Sequence, residues 1–286
     1  MIITIVGPTG VGKTKLSLAL AKKYNGEIIN ADSTQIFKEL NIGTAKIIDT
    51  KGIPHHLIDI KNLAEKYTVY DYQKDARNIL KDILKRNKTP IIVGGSGLYL
   101  TALLYDYKFT KEENIINEDI SIEKMHSKLL ELGLNIDLNN KQRIKRKYLK
   151  HIINKEPITN DKPKVLYETI IIGLTTDRDI LYDKINSRVD EMIENGLLDE
   201  ARNLFQKYPN CGQLHNTIDY KEFIPYFNNE STLEDVINIM KQNSRNFAKR
   251  QYTWFNNKLD VDWFQTNYND FNQTIKEVIN YIDNSK

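Results

Sequence analysis

The sequence predicts an α/β protein with a P-loop-type, mostly parallel sheet that is flanked by helices and carries a small helical insertion. Short runs of apolar, β-branched residues alternate with helical patterns, and this alternation is typical of a parallel sheet with helices on its faces. Two of the runs lead directly into glycine-rich turns. Between about residues 108 and 160 the alternation stops, and a charged, Asn-rich, helical pattern replaces it. The 286 residues are enough to bury a sizeable core without a disulfide or a structural metal.

Each predicted element depends on a local pattern. Runs of apolar, β-branched residues that end at Gly, Asp or a turn predict buried strands. Apolar residues at helical spacing predict helices, and Ser231 with Glu234 forms the pattern of a capping box before the last long helix. The predicted strands are 2–6, 27–30, 55–60, 90–94, 168–174 and 261–264, and the predicted helices are 13–24, 69–86 and 231 to about 255.

The predicted insertion, residues 109–159, divides a core that consists of residues 1–108 and 160–286, the latter ending in a helical part. The insertion contains an uneven distribution of charge, because no Asp or Glu occurs from Leu138 to Lys155. Such a basic block can contact the phosphate backbone of a nucleic acid, or it can be only the solvated face of a helix. Its basic residues are Lys141, Arg143, Lys145, Arg146, Lys147, Lys150 and Lys155.

Composition and the first residues indicate the cellular setting. The formal net charge is only +3, and the single cysteine, Cys211, has no partner for an internal disulfide, which fits a reducing compartment. The start of the chain lacks the pattern of a signal peptide, and no apolar run reaches the roughly 20 residues that a membrane-spanning helix needs. We therefore expect a soluble, cytoplasmic protein that does not bind membranes and acts as a monomer.

The motif that carries most chemical information is GPTGVGKT at residues 7–14, which matches the phosphate-binding loop of nucleotide- and ATP-binding proteins. A predicted strand precedes it and a predicted helix follows, which is the context that this motif requires. Its glycines allow backbone N–H groups to point at a diphosphate, Lys13 adds a positive charge, and the Thr14 hydroxyl can ligate Mg²⁺. An ordinary glycine-rich turn is the alternative interpretation.

A phosphate-binding loop specifies a phosphate and leaves the reaction open. Nucleotide hydrolysis, kinase transfer and other transfers with a diphosphate leaving group all use it. An NTPase usually has a second carboxylate that holds magnesium at the end of an apolar strand. The candidates are Asp32, after the second predicted strand, and Asp59, within the third.

Further motifs resemble a known family. GPTGVGKT is followed by NADSTQIFKELNIGTAK (30–46), PHHLID (54–59) and VGGSGLY (93–99). Later segments are QRIKR (142–146), GLTTDRDILYDKINSRVDEMIENGLLDEA (173–201), DYKE (219–222) and AKRQYTWF (248–255). In order and spacing these segments resemble the tRNA dimethylallyltransferases, and they cover most of the chain outside the insertion.

The resemblance implies transfer of a dimethylallyl group from dimethylallyl diphosphate to the exocyclic amino nitrogen of adenosine 37 in the tRNA anticodon loop, with Mg²⁺ as cofactor. Lys13, Mg²⁺ and the loop amides would neutralise the leaving diphosphate. The family places a general base at Asp32; a turn-capping role is the alternative. Ser96 stands where the family usually has Thr, and it can instead cap a helix. Arg188 would reach the diphosphate or form a surface salt bridge.

The resemblance also assigns residues to each ligand. The predicted catalytic residues are Asp32, Lys13, Thr14 and Ser96. The predicted donor-binding residues are Gly7, Pro8, Thr9, Gly10, Val11, Gly12, Lys13, Thr14 and Arg188. The predicted tRNA contacts, where an extruded adenine would enter a deep pocket, are Asp32, Ser33, Thr34, Gln35, Ser96, Gln142, Arg143, Ile144, Lys145, Arg146, Lys249 and Arg250. Trp254 and Phe255 lie in the same C-terminal segment and either pack in the core or stack on bases.

The chain departs from the family pattern in two places. The insertion is shorter than the helical arm that the family usually has, so binding of the anticodon stem would be weaker or rearranged. Asp219 stands where the family usually has Gly; if that position has a positive φ, Asp is tolerated there with some strain, and its carboxylate would repel RNA phosphates.

Three other functions remain open from the residues alone. A small-molecule or nucleotide kinase would use the same loop but leaves the basic helices unexplained. A non-catalytic RNA-binding protein would not need Lys13, Thr14 and Asp32. An enzyme that prenylates free adenine nucleotides would not need QRIKR and AKRQYTWF.

Overall fold

A computed structural model describes residues 1–109, 120–158 and 164–285 of the chain. The chain forms two compact units, Met1–Tyr105 with Val165–Lys286, and Asp106–Lys164. The predicted insertion, 109–159, includes residues 110–119 and 159, which lie outside the described residues.

The first unit contains a six-stranded sheet in which every strand pairing is parallel. The order across the sheet is β3-β2-β4-β1-β5-β6, so β1 lies between β4 and β5. The predicted mostly parallel sheet is therefore confirmed. The strands are β1 (Ile3–Val6), β2 (Gly26–Asn30), β3 (His55–His56), β4 (Thr89–Val93), β5 (Ile170–Thr175) and β6 (Asp262–Gln265).

Helices connect most of these strands. In chain order the α-helices are α1 (Lys13–Lys23), α2 (Val69–Lys85), α3 (Gly97–Leu104), α4 (Ile122–Glu131), α5 (Lys141–Tyr148), α6 (Arg178–Glu194), α7 (Leu197–Lys207), α8 (Gly212–Asn216), α9 (Ile224–Phe227), α10 (Leu233–Lys258) and α11 (Phe271–Asn284). A short π-helix follows α5 at Leu149–Ile153, and a 3₁₀ turn, Lys221–Phe223, precedes α9. In the described part of the chain, no helix is long and apolar enough to cross a membrane.

The core of the first unit lies on both faces of the sheet. Side chains of a strand alternate between its faces, so neighbouring isoleucines enter different clusters. Ile28 of β2 packs with α1 and α11, whereas Ile29 packs with α2, α3 and α10. The sheet is thus covered on both sides, and its strand ends are where polar side chains become accessible.

Two predicted elements differ from the structure. The strand predicted at 55–60 ends at His56, because Leu57 (φ 63°) and Asp59 (φ 57°) adopt left-handed conformations that a strand cannot include. The capping box of α10 is formed by Thr232 and Asp235, one residue after the predicted pair, and the helix continues to Lys258. The pattern of a hydroxyl followed three residues later by an acid fits both pairs, so sequence alone does not separate them.

The second unit has its own small core. Helices α4 and α5 pack around Met125, Leu129, Ile136, Ile144 and Tyr148. The described residues of this region form α4, α5 and the π-helix, with loops between them.

Candidate active site

The glycine-rich segment that the sequence predicts to bind phosphate, residues 7–14, joins β1 to α1. Two of its glycines are required by the backbone and by the space around them. Gly7 has φ 142°, and a Cβ there would lie 2.6 Å from the carbonyl oxygen of Leu174. Gly12 has φ 91°, and a Cβ there would lie 2.4 Å from the ring of Phe271. Any larger residue would therefore displace β5 or α11 from the loop.

The side chain of Lys13 folds back over the loop. Its Nζ donates hydrogen bonds to the carbonyl oxygens of Gly7 at 2.9 Å and Pro8 at 2.6 Å. Burial lowers the pKa of Lys13 to about 8, the negative charge of Asp32 acts in the opposite direction, and the positive charge of Arg188 lowers it further. The ammonium group is thus held at the loop with two of its three N–H donors already in hydrogen bonds, and the negative charge of Asp32 acts on it.

Asp32 follows β2 and closes a tight turn. Its Oδ1 accepts hydrogen bonds from the Thr34 backbone N–H at 3.1 Å and from the Thr34 hydroxyl at 2.7 Å. Asn30 holds the turn from the other side, because its Oδ1 accepts from the Asp32 N–H and its Nδ2 donates to the carbonyl of Leu57. Asp32 therefore caps a turn, and among the described residues no donor reaches its second carboxylate oxygen, which remains available for chemistry.

Ser96 lies beside Asp32 because two strand ends are joined there. The Ser96 N–H donates to the carbonyl of Ala31 at 3.1 Å, which brings the start of α3 next to the end of β2. Ser96 occupies the N-cap position of α3, but its side chain makes no capping hydrogen bond. Its hydroxyl is therefore free to act in the site.

Gln251 of α10 connects the two glycine loops, and sequence reasoning missed it. Its Oε1 accepts from the Thr9 N–H at 3.3 Å, and its Nε2 donates to the carbonyl of Gly95 at 3.1 Å. A Cβ on Gly95 would lie 2.1 Å from that Nε2. The only signal in the sequence was the position of Gln251 inside AKRQYTWF, and nothing there identifies its partners.

A cavity of about 70 Å³ joins the main predicted groups. Lys13 and Thr14 line its phosphate-loop side, and Asp32 lies on its wall. The remaining lining includes aliphatic side chains, which suit an apolar group next to a phosphate. Those aliphatic residues are Ile28, Ile47, Ile58 and Val93.

A larger pocket of about 570 Å³ lies between residues 63–67 and 208–213. Its lining includes none of the predicted site residues. It also lacks a phosphate-binding loop, so we assign the chemistry to the smaller cavity.

A second group of charges lies on α6 and in the turn before α9. Arg188 of α6 is partly buried; burial lowers its pKa, and the charges of Asp219 and Asp32 oppose that shift. Within the described residues no carboxylate oxygen lies within 4.0 Å of the guanidinium nitrogens. The alternative of a surface salt bridge at Arg188 is therefore wrong. Asp219 has φ 72°, as expected for a position that favours Gly.

The residues predicted to contact the adenine differ in how far hydrogen bonds within the protein already occupy their side chains. The Thr34 hydroxyl donates a hydrogen bond to Asp32 and so stabilises the turn. The Gln35 Nε2 donates to the carbonyl of Thr44 at 3.1 Å, and Gln35 also lines the cavity. Ser33 is partly exposed. The other magnesium candidate, Asp59, forms a 2.5 Å ion pair with Lys46 instead.

The predicted RNA contacts on helices are mostly exposed. In α5, within the second unit, Gln142, Arg143, Lys145 and Arg146 are exposed. Ile144 is fully buried in the core of that unit, so the prediction that its side chain contacts RNA is wrong. It occupies the apolar face of a helix whose other faces carry the cations.

In α10, Lys249 and Arg250 are exposed, while Gln251 faces inward. Phe255 is fully buried, which confirms its packing in the core. Trp254 packs against Gly97, where a Cβ would lie 2.3 Å from the indole ring. Phe255 is therefore a core residue, whereas Trp254 is partly exposed and packs against the edge of the core.

Comparison with known proteins identifies a family. The family model of IPP transferases matches residues 35–258. A tRNA dimethylallyltransferase of Anoxybacillus flavithermus is 42% identical over 298 residues, covering 99% of this chain and 96% of that protein. One from Bacillus cereus is 41% identical over 305 residues, covering 99% and 94%.

Solved structures give the same result. The tRNA isopentenylpyrophosphate transferase of Bacillus halodurans is 39% identical with a TM-score of 0.79, covering 99% of this chain and 95% of that chain. A eukaryotic dimethylallyltransferase described as acting on tRNA is 28% identical with a TM-score of 0.82, covering 99% and 79%. This chain belongs to the tRNA dimethylallyltransferase family.

Proposed function

We propose that this protein transfers the dimethylallyl group of dimethylallyl diphosphate to the exocyclic amino nitrogen of adenosine 37 in tRNA and releases diphosphate. The observation that carries the proposal is the cavity in which Lys13, Thr14 and Asp32 meet aliphatic side chains. The cationic loop suits the diphosphate, the aliphatic wall suits the allylic chain, and the carboxylate suits the amine.

The reaction assigns a step to each group. The adenine amino nitrogen forms a bond to the terminal allylic carbon, and the bond from that carbon to the diphosphate oxygen breaks. Asp32 accepts the proton that the amine loses, through the carboxylate oxygen that is free of the Thr34 hydrogen bonds. Lys13 and the loop N–H groups stabilise the charge that develops on the departing diphosphate. The Ser96 hydroxyl, which makes no capping hydrogen bond, would hold a substrate oxygen or nitrogen.

Magnesium fits the residues that are present. Among the described residues no group of three or more His, Cys, Asp or Glu side chains forms a metal cage. Mg²⁺ is commonly held by one or two protein oxygens together with substrate phosphates, and the exposed Thr14 hydroxyl at the start of α1 provides one such oxygen. When bound, Mg²⁺ would add positive charge at the diphosphate.

The basic face of α5 supports tRNA as the acceptor. Cations of α5 lie close to Lys150 of the π-helix that follows: burial lowers the pKa of Lys147, and the charges of Lys150, Arg143 and Arg146 lower it further. Such a concentration of exposed positive charge attracts a phosphate backbone. We propose that this face and Lys249 with Arg250 contact the anticodon stem-loop, and that the enzyme acts as a cytoplasmic monomer.

One experiment tests the proposal against its competitors. The protein is incubated with unmodified tRNA, dimethylallyl diphosphate and Mg²⁺, and the nucleosides are analysed by mass spectrometry. We expect the isopentenyl mass on one adenosine of the anticodon loop. Parallel reactions replace tRNA with AMP, or the donor with ATP. Prenylated AMP without prenylated tRNA, or ATP consumption without prenylation, would overturn the proposal.

A further inference from the structure

A backbone turn at residues 41–46 lies between two parts of the chain that line the cavity. The Ala45 N–H donates to the carbonyl of Ile42 at 2.9 Å and closes this turn. The residues before it, 32–35, contribute two side chains to the cavity, and Ile47 directly after it contributes a third. The position of the turn therefore affects how both of its neighbours meet the cavity.

Glu200 of α7 and Tyr220 hold this turn from a distant part of the chain. The Ile42 N–H donates to both carboxylate oxygens of Glu200, at 3.0 and 3.1 Å. The Tyr220 hydroxyl donates to Glu200 Oε1 at 2.5 Å and accepts from the Gly43 N–H at 3.2 Å. Two neighbouring backbone donors of the turn are thus satisfied by side chains that also bond each other.

The ring of Tyr220 packs directly against the turn. A Cβ on Gly43 would lie 2.5 Å from the ring, so a larger residue there would displace the turn or the ring. The Tyr220 side chain is fully buried, which means that it cannot contact tRNA or the donor itself. Any effect of its hydroxyl on the reaction must therefore pass through the turn.

Thr44 connects the turn to the cavity. Its hydroxyl donates to the carbonyl of Leu40 at 2.7 Å, and its own carbonyl accepts from Gln35 Nε2 at 3.1 Å. Gln35 lines the cavity together with Asp32. Within the described part of the chain no donor reaches Gln35 Oε1. An adenine amino group has two N–H groups, so Asp32 can take the proton that is lost while Gln35 Oε1 accepts a hydrogen bond from the other.

We propose that Glu200 and Tyr220 are positioning residues for the acceptor adenine, because they fix the turn whose Thr44 carbonyl orients the Gln35 amide in the cavity. This inference rests on the proposed function, since it assumes that an adenine amine enters the cavity. Phosphate contacts supply most of the affinity for a nucleic acid, whereas contacts to a base place its reacting atoms. Loss of this support therefore slows the chemical step and leaves the binding of tRNA and of the donor largely unchanged.

Substitutions can separate the hydrogen bonds from the packing. Tyr220→Phe removes the hydroxyl and keeps the buried ring. Glu200→Ala removes the acceptor of the Ile42 N–H, whereas Glu200→Gln keeps one oxygen that can accept from both Ile42 and Tyr220, so it should rescue the function. The matched controls are Asp199→Ala, at an exposed position of the same helix, and Tyr226→Phe, at a partly buried tyrosine of α9.

Single-turnover transfer at saturating tRNA, dimethylallyl diphosphate and Mg²⁺ measures the chemical step. Filter binding measures the affinity for tRNA, calorimetry with inorganic diphosphate and Mg²⁺ measures the donor site, and a melting curve gives the folded fraction. Tyr220→Phe and Glu200→Ala should slow transfer by about 10- to 100-fold per folded molecule, with both affinities within about twofold of the wild type. Glu200→Gln and the two controls should stay within about threefold of the wild-type rate.

A second arm tests whether the effect passes through Gln35. In the Gln35→Ala background, Tyr220→Phe should slow transfer little further, because the group that it orients is already absent. An equal slowing in both backgrounds would overturn the inference. So would variants that transfer at the wild-type rate, a diphosphate affinity that falls in parallel with the rate, or a folded Glu200→Gln protein as slow as Tyr220→Phe.

Two further results separate this inference from other failures. If Glu200→Ala does not fold, Tyr220→Phe decides the outcome, because its ring still packs against Gly43. A wild-type protein that binds diphosphate but leaves tRNA without a prenyl group would overturn the proposed function, and the positioning role with it. Wild-type transfer with unaffected variants would overturn the positioning role alone.

Discussion

Replacement of Gln251 by Leu tests how the two glycine loops are held together. Gln251 is only 6% exposed, and its side chain makes one hydrogen bond to each loop. The bond to the carbonyl of Gly95 is buried, so its loss leaves that oxygen unsatisfied at a cost of about 1–3 kcal/mol. The bond from the Thr9 N–H is partly buried, and its loss costs about 0.5–1.5 kcal/mol because water can replace it.

The two losses together predict that Gln251→Leu lowers the free energy of unfolding by about 2–4 kcal/mol. At 3 kcal/mol this corresponds to a fall in Tm of about 6–12 °C. Urea unfolding and thermal melts measure both quantities. Gln242→Leu is the matched control, since Gln242 lies on the same helix and is exposed; it should change stability by about 0.5 kcal/mol or less.

The variant should also slow the reaction, because the loops carry Lys13 and Ser96. A displacement of reacting groups by about 1 Å can cost roughly 100-fold in rate. Single-turnover transfer at saturating substrates measures this loss, and Gln242→Leu should retain the wild-type rate. A Gln251→Leu protein as stable and as fast as this control would refute the bridging role.

A double-mutant cycle that combines substitutions at Gly95 and Gln251 tests the contact between these two residues directly. In the wild type, Gly95→Ala places a Cβ 2.1 Å from Gln251 Nε2, so it should displace the amide and destabilise the protein. In the Gln251→Ala background that clash is absent, so the second substitution should cost little. Additive losses in free energy of unfolding would contradict a direct contact.

Four further outcomes follow from the site and the fold. Lys13→Ala should lose most of its affinity for the donor, as measured by calorimetry. Lys15→Ala, at the exposed position two residues further on, should keep that affinity. Near-normal transfer by Lys13→Ala would show that the loop does not hold the donor. Asp32→Asn should slow single-turnover transfer by about 100- to 10,000-fold with little change in Tm, because the amide oxygen can still accept hydrogen bonds from Thr34. A defect that shrinks as the Mg²⁺ concentration rises would indicate that Asp32 organises the metal. A lowered Tm with a normal rate would indicate that its role is purely structural. Arg143→Glu with Arg146→Glu should weaken tRNA binding and reduce the slope of its salt dependence by about one unit per lost phosphate contact. Lys85→Glu, at an exposed position of α2, should not change the slope; an unchanged slope in the double variant would make α5 a solvated face. Hydrogen bonds from Arg86 hold the pKa of buried Glu27 far below its usual range despite the opposing effect of burial, and hydrogen bonds from Lys88 and His56 lower it further. Because this pKa is depressed in the folded protein, the stability that ionised Glu27 contributes is present above about pH 4.5 and is lost on acidification. Between pH 5 and pH 3 the Tm should therefore fall less in Glu27→Gln than in the wild type or in Glu234→Gln, a control at an exposed position.

The parts of the site that sequence predicted share one physical origin. Parallel strands present their carboxyl ends at the same edge of the sheet, so residues that follow β1, β2 and β4 must converge. This rule alone brings Lys13, Asp32 and Ser96 together from distant parts of the sequence. The conformation of the loop could also be predicted from its glycines, because a positive φ and a close approach of another backbone leave few alternatives to Gly.

The parts that sequence did not predict depend on packing between distant segments. Gln251 meets Thr9 across 242 positions of the chain, and no local pattern indicates which residue a helix will turn inward at that point. Ile144 lies within a basic motif, and only the packing of α4 against α5 shows that it faces the core. Likewise the strand at His55 ends early because Leu57 and Asp59 adopt left-handed backbone conformations, and a leucine gives no sign of such a conformation in the sequence.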